Sequence, residues 1–126
     1  MINLDEEIYF KLKSGVNLGK ITIIQGYPTQ YYDLPVLSYT CENNSCALKT
    51  DGREVTSYIV YKLDLFLDNN EEDYIFYYED VDNMMTDLGF KRTQFTMINE
   101  PNGGIHIVFR YEVYLTEDGF AYNSIY

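Results

Sequence analysis

"TDGREVTSYIVYKLDLFL", residues 50–67, decides the fold class. Ile59, Tyr61, Leu63, Leu65 and Leu67 alternate with Tyr58, Val60, Lys62, Asp64 and Phe66. A period of two puts the first set on one face of a β-strand, and that face is apolar enough to lie on a core. The second set is mixed, with Val60 and Phe66 flanking Lys62 and Asp64. The spacing predicts a strand over 54–67 whose second face is partly covered by something else, such as another subunit. Asp51 and Gly52 form a hairpin signal, because Gly accepts the positive φ of tight primed turns.

The partner strand of that hairpin is read over 36–42, resuming after "NNS" toward Lys49 and Thr50. Further back, "KITII" (20–24) is a short β-branched run closed by Gly26. Asp5 is expected to cap a helix over 5–13, where Leu4, Ile8 and Leu12 recur every four residues. Toward the C-terminus, Asn69 and Asn70 offer an N-cap for a helix reaching Leu88. Its stripe is Tyr74, Tyr78, Val81, Met85 and Leu88, and Gly89 is the left-handed stop. Residues 90–98 are extended, "NEPNGG" (99–104) is a turn, and Ile105 to Leu115 alternates strictly. The order is helix, strand, hairpin, helix, hairpin, tail. That is an α+β fold: a mostly antiparallel sheet of four to five strands with two helices packed on one face. Residues 1–115 form one domain, and residues 116–126, which have no clear period, are read as a C-terminal arm.

Composition narrows the function classes. The chain has 126 residues, 46% of them hydrophobic and 23% charged, as expected of a globular domain able to bury a real core. The departures are 14 Tyr with no Trp and a net charge of −11. So acidic a surface repels phosphate backbones and anionic membranes, yet it suits a surface that DNA must pass without sticking. There is no apolar run of membrane-spanning length, and acids stand where a signal peptide carries lysines. The expectation is synthesis in a cytoplasm.

Motifs of chemistry are sparse. No glycine-rich phosphate loop, nucleophile elbow or paired-histidine metal helix occurs, so the chain is read as a non-enzyme without cofactor or metal. Cys41 and Cys46 lack two further zinc ligands and are read as reduced thiols in or beside a strand, one or both filling apolar space. His106 is read as a polar residue on the outer face of its strand, Glu79, Asp80 and Asp82 as a solvated helix face, and Tyr74 and Tyr78 as core packing. The connection "GYPTQYYDLP" (26–35) stands out. Pro28 and Pro35 stiffen it, and exposed tyrosines on a rigid element give contact area at low entropic cost. Either it meets a partner or it folds over its own sheet edge. The candidate interface residues are Tyr27, Pro28, Tyr31, Tyr32 and Leu34, with Val60 and Phe66 from the mixed strand face.

Four stretches together carry a resemblance: "GYPTQYYDLPVLSYTCENN" (26–44), "TDGREVTSYIVYKLDLFL" (50–67), "VDNMMTDLGFKR" (81–92) and "NEPNGG" before "HIVFRYEVYL" (106–115). In this order the chain resembles the small tail terminator, or tail completion, proteins of long-tailed phages and prophages of low-GC Gram-positive bacteria. The resemblance spans about residues 5–115 and rests on an ordered set of weak motifs, chiefly the alternating strand and the "MxxLGFKR" helix end. It implies a structural virion protein that caps the head-proximal end of a tail tube as a ring, commonly of six copies, ends tube polymerisation and forms the head–tail joint. The implied partners are the protein itself, the tail tube protein and the head–tail connector protein, with DNA sliding through an acidic lumen. The alternatives are a head-closure component of the same neck and a small ligand-binding module using the Tyr-rich surface.

Overall fold

The computed structural model describes residues 3–28, 33–50, 53–68, 74–101, 103–116 and 121–122. In chain order it has helix α1 (Asp5–Lys13), a 3-10 turn (Leu18–Lys20), strands β1 (Thr22–Gln25), β2 (Val36–Thr50) and β3 (Arg53–Leu67), helix α2 (Tyr74–Asp87), and strands β4 (Lys91–Asn99), β5 (Ile105–Thr116) and β6 (Ala121–Tyr122). The fold is α+β. One sheet runs β1-β2-β3-β5-β4, and the two-residue β6 pairs with β5 at Tyr114 and Leu115. All pairings are antiparallel except β1 with β2.

The alternating face of β3 forms the floor of the core, as its period requires. Ile59, Tyr61, Leu63, Leu65 and Leu67 join Ile107, Phe109, Tyr111, Val113 and Leu115 of β5 in one buried cluster with Ile8 and Leu12 of α1 and Val81 and Met85 of α2. Burying each such aliphatic side chain stabilises the fold by about 1.5–3 kcal/mol. Both helices therefore cover the same sheet face. The α2 stripe packs as its spacing predicts, with Tyr74, Tyr78 and Leu88 half-buried at its margins. Gly89 ends α2 at φ +97°. The Phe90 N–H donates to Met85 O (3.1 Å) and the Gly89 N–H to Thr86 O (2.9 Å), a Schellman closure sealed by the buried side chains of Phe90 and Met85.

Four details differ from the sequence reading. Asp5 is the first helical residue, not the cap, which falls on Leu4. Its carboxylate turns to the sheet, accepting from Tyr61 Oη (2.5 Å) and Gln25 Nε2 (2.7 Å), while Asn3 Oδ1 accepts from the Asp5 N–H (2.8 Å). Strand β2 is not interrupted at "NNS": register shifts at Cys41/Asn43 and Cys46/Leu48 take up one extra residue each on β2, and a third at Leu48/Lys49 takes up one on β3. Asp80 and Asp82 are not merely solvated. Asp80 Oδ2 accepts from the backbone N–H groups of Asn17 (2.8 Å) and Leu18 (3.2 Å), tying the 3-10 turn to α2, and Asp82 accepts from Tyr111 Oη (2.9 Å) and pairs with Arg92 (3.4 Å). Finally, the segment read as an arm returns to the sheet at Ala121–Tyr122. Asp51 and Gly52 lie outside the described residues, but the pair Thr50 and Arg53 flanks them in hairpin register. The Asn69 and Asn70 cap also lies outside them.

Candidate functional site

Parallel pairing of β1 and β2 explains the aromatic connection. Two adjacent parallel strands cannot be joined by a tight turn; the chain must travel back along the sheet before the second strand begins. Here that return falls between Gln25 and Val36, of which residues 26–28 and 33–35 are described, and the helices occupy one sheet face. Tyr27 lies on the other face, edge-on to Phe66 of β3 at 5.8 Å between ring centroids, and Lys62 Nζ sits 5.7 Å from the Tyr27 ring centre.

That face, which carries no helix among the described residues, is built in cross-strand rows. The register sets Val36, Phe66, His106 and Ile98 in one row, Ser38, Asp64, Val108 and Thr96 in the next, and Thr40, Lys62, Arg110 and Gln94 in a third. Its middle is buried: Val36, Ser38, Asp64 and Val108 are inaccessible or nearly so, and His106 is 9% exposed. His106 is thus not the outward-facing polar residue read from the sequence. Its ring stacks on Phe66 at 4.3 Å, its Nε2 lies 2.8 Å from Asp64 Oδ1, and its Nδ1 lies 3.6 Å from Glu100. Lys62 Nζ approaches the same Asp64 oxygen at 3.6 Å. Asp64 Oδ2 and, directly across the strand pair, Ser38 Oγ have no hydrogen-bond partner among the described residues.

Ser38, Asp64 and His106 do not make a nucleophilic triad. A triad needs the imidazole between hydroxyl and carboxylate, and here the carboxylate lies between the other two. Toward the far end of the face Arg110 donates to Glu42 (2.8 and 3.1 Å) and to Gln94, which holds the Glu42 carboxyl below its ordinary range. Tyr58 donates to Glu112 (2.7 Å), and that bond pushes its phenol up to about 12.

Of the candidate interface residues, Tyr27, Val60 and Phe66 fall on this face. Tyr27 and Phe66 meet each other, yet Tyr27 remains 56% exposed and Leu34 45% exposed; Pro28, Val60 and Phe66 are half-buried. Tyr31 and Tyr32 lie outside the described residues. Cys41 and Cys46 form no disulfide and are exposed, so neither fills apolar space. They sit opposite Tyr61 and Ser57, four residues apart along β3, about 13 Å, which is too far for a disulfide. Burial of its sulfur and the neighbouring Asp5 charge push the Cys41 thiol up. Among the described residues no three His, Cys, Asp or Glu side chains converge as a metal site requires.

The sequence reading missed the buried polar cluster and the exposed margin of the sheet at β4. For the cluster, the signal was Asp64 between apolar neighbours on the mixed face. The margin had no local signal, because strand order alone decides which strand has one partner. No family model matches this chain, and no curated protein matches it.

Proposed function

We propose that the chain is a structural assembly protein that closes into a ring, of about six copies, on the head-proximal end of a phage tail tube. In that position it ends tube polymerisation and joins the tail to the head connector. The observation that carries the reading is the sheet face opposite the helices, where Tyr27 meets Phe66 yet stays largely in solvent, with Leu34 exposed near the start of β2. Large aromatic and aliphatic groups held on a stiff segment are what protein interfaces are built from. The resemblance over residues 5–115 supplies the partners: further copies of the chain, the tail tube protein and the head–tail connector protein. The net charge of −11 fits a lumen through which DNA slides without binding.

Light scattering of the purified protein over a concentration series, followed by negative-stain imaging, tests this reading. A ring with a central hole, or a cap on purified tail tubes, is the expected result. A monomer at every concentration that leaves tail tubes uncapped would remove it. Duplex DNA retained by the assembled ring at moderate salt would remove the lumen assignment alone.

A further inference from the structure

We infer that β4 is the strand to which the next copy of this chain adds its own sheet, through the open margin formed by β1 and the adjoining stretch of β2. The inference rests on the ring reading and names the contact that would close it.

Among the described residues β4 is the last strand of the sheet and pairs only with β5. Over Lys91–Asn99 every residue but Gln94 is exposed, and Phe95, Met97 and Ile98 are each about two-fifths accessible. Its single register shift lies between Arg92 and Gln94, so the run from Phe95 to Asn99 is unbulged. That run carries no charge and no proline, the usual devices that keep a free edge from pairing. β6 does not cover it, since β6 meets β5 at Tyr114 and Leu115, beyond the Lys91–Glu112 pair where β4 begins. A straight, apolar, uncharged edge of this length offers its backbone to another strand.

Charge picks the occupant. The only charged residues of β4 are Lys91 and Arg92, both basic, on a chain with 20 acids against 9 Lys and Arg. Arg92 has Asp82; Lys91 has no ion pair among the described residues. The opposite margin of the same sheet carries the opposite sign. There Asp5, Glu6 and Glu7 of the first turn of α1 stand beside Gln25 of β1, Glu6 and Glu7 exposed, while Glu42 of β2 is already paired with Arg110. β1 covers β2 only from Val36 to Tyr39, which leaves Thr40 to Cys46 without a strand on that side among the described residues. One margin is therefore a basic-ended open strand and the other an acid-flanked open strand. Joining unlike margins head to tail is a heterologous contact, which repeats around an axis until the ring closes.

The test is a charge exchange with the full chain. Lys91→Glu and, separately, Met97→Lys are each expected to weaken assembly by about tenfold or more, read as the concentration at which half the protein is assembled by light scattering. Glu6→Lys/Glu7→Lys added to Lys91→Glu is expected to restore assembly, which a merely damaged fold could not do. Circular dichroism of each variant checks that the monomer is intact. Hydrogen exchange of the wild-type ring is expected to show slowed amides in 95–99 and in 40–46 relative to the monomer. A wild-type ring with both segments exchanging freely, or unmoved by Lys91→Glu and Met97→Lys, would overturn this contact and leave the ring reading standing. A wild-type dimer protecting only β4 would overturn the head-to-tail contact and the ring together, as would a monomer that caps no tubes.

Discussion

His106 Nε2 lies 2.8 Å from Asp64 Oδ1 on a sheet face that carries no helix among the described residues, and the carboxylate is completely buried. A buried carboxylate is tolerated only while its partners hold it, and removing one leaves a charge in a poorly polar site. His106→Ala is therefore expected to destabilise the fold by about 3–5 kcal/mol in chemical denaturation, far more than truncating an exposed polar residue. Adding Asp64→Leu is expected to recover much of that loss, because the buried carboxylate, left with Lys62 alone at 3.6 Å, goes with it. A strictly additive double variant would mean that the two side chains do not act as a pair.

The crossover responds differently. Tyr27 meets Phe66 edge-on and lies near Lys62, but more than half of it faces water. Tyr27→Ala is expected to cost only about 0.5–1.5 kcal/mol of stability, the range for a single aromatic pair. If this ring is an assembly surface, the same change weakens self-association by a larger factor than its loss of stability explains. Equal effects on both would assign Tyr27 to folding alone.

The sequence carries period well and neighbourhood badly. Ile59 to Leu67 and Ile105 to Leu115 announce their buried faces because a side chain's facing repeats every second residue, and Gly89 announces a helix end because few residues accept its φ. Asp64 and His106 occupy the second phase of these strands, read as a partly covered mixed face at Asp64 and as an outward polar position at His106. Their burial goes with the contacts that the β3–β5 register makes: His106 stacks on Phe66, and its Nε2 lies against Asp64. Asp64 meets His106 through the pairing of β3 with β5, strands distant in sequence, and the edge position of β4 follows from strand order, so neither the cluster nor the free edge at Phe95, Met97 and Ile98 is legible locally. The bulges in β2 are hidden for the same reason: the extra residues are defined only against β3.

Gly89 gives a local check on the fold. At φ +97° an added Cβ meets the backbone unfavourably, and the two Schellman bonds to Met85 and Thr86 depend on that conformation. Gly89→Ala is expected to lower stability by about 1–2 kcal/mol in urea denaturation with an unchanged dependence on urea concentration. Gly89→Asn, whose side chain tolerates the left-handed region better, is expected to cost less. A neutral alanine would mean that α2 ends otherwise.

Alkaline pH tests the tyrosine network. Burial, then the bond to Asp5, raises the Tyr61 phenol well above its ordinary value of 10, and burial, then the bond to Asp82, does the same for Tyr111. Tyr58, held mainly by Glu112, is raised to about 12. In each case the folded state keeps a proton that the unfolded chain releases above pH 10, so the unfolded state binds fewer protons and stability falls as pH rises. Below pH 10 the contribution is fully present; Tyr58's share is lost between pH 10 and about 12, and the loss from Tyr61 and Tyr111 continues beyond. Phenolate absorbance is expected to rise in two stages, exposed tyrosines first and Tyr61 with Tyr111 only as the fold opens. Asp5→Asn removes the lesser cause at Tyr61, so its phenol is expected to titrate earlier than in the wild type yet still later than the exposed ones. A single transition for all the tyrosines, complete before any loss of circular dichroism, would mean that the Asp5–Tyr61 and Asp82–Tyr111 bonds do not form in solution.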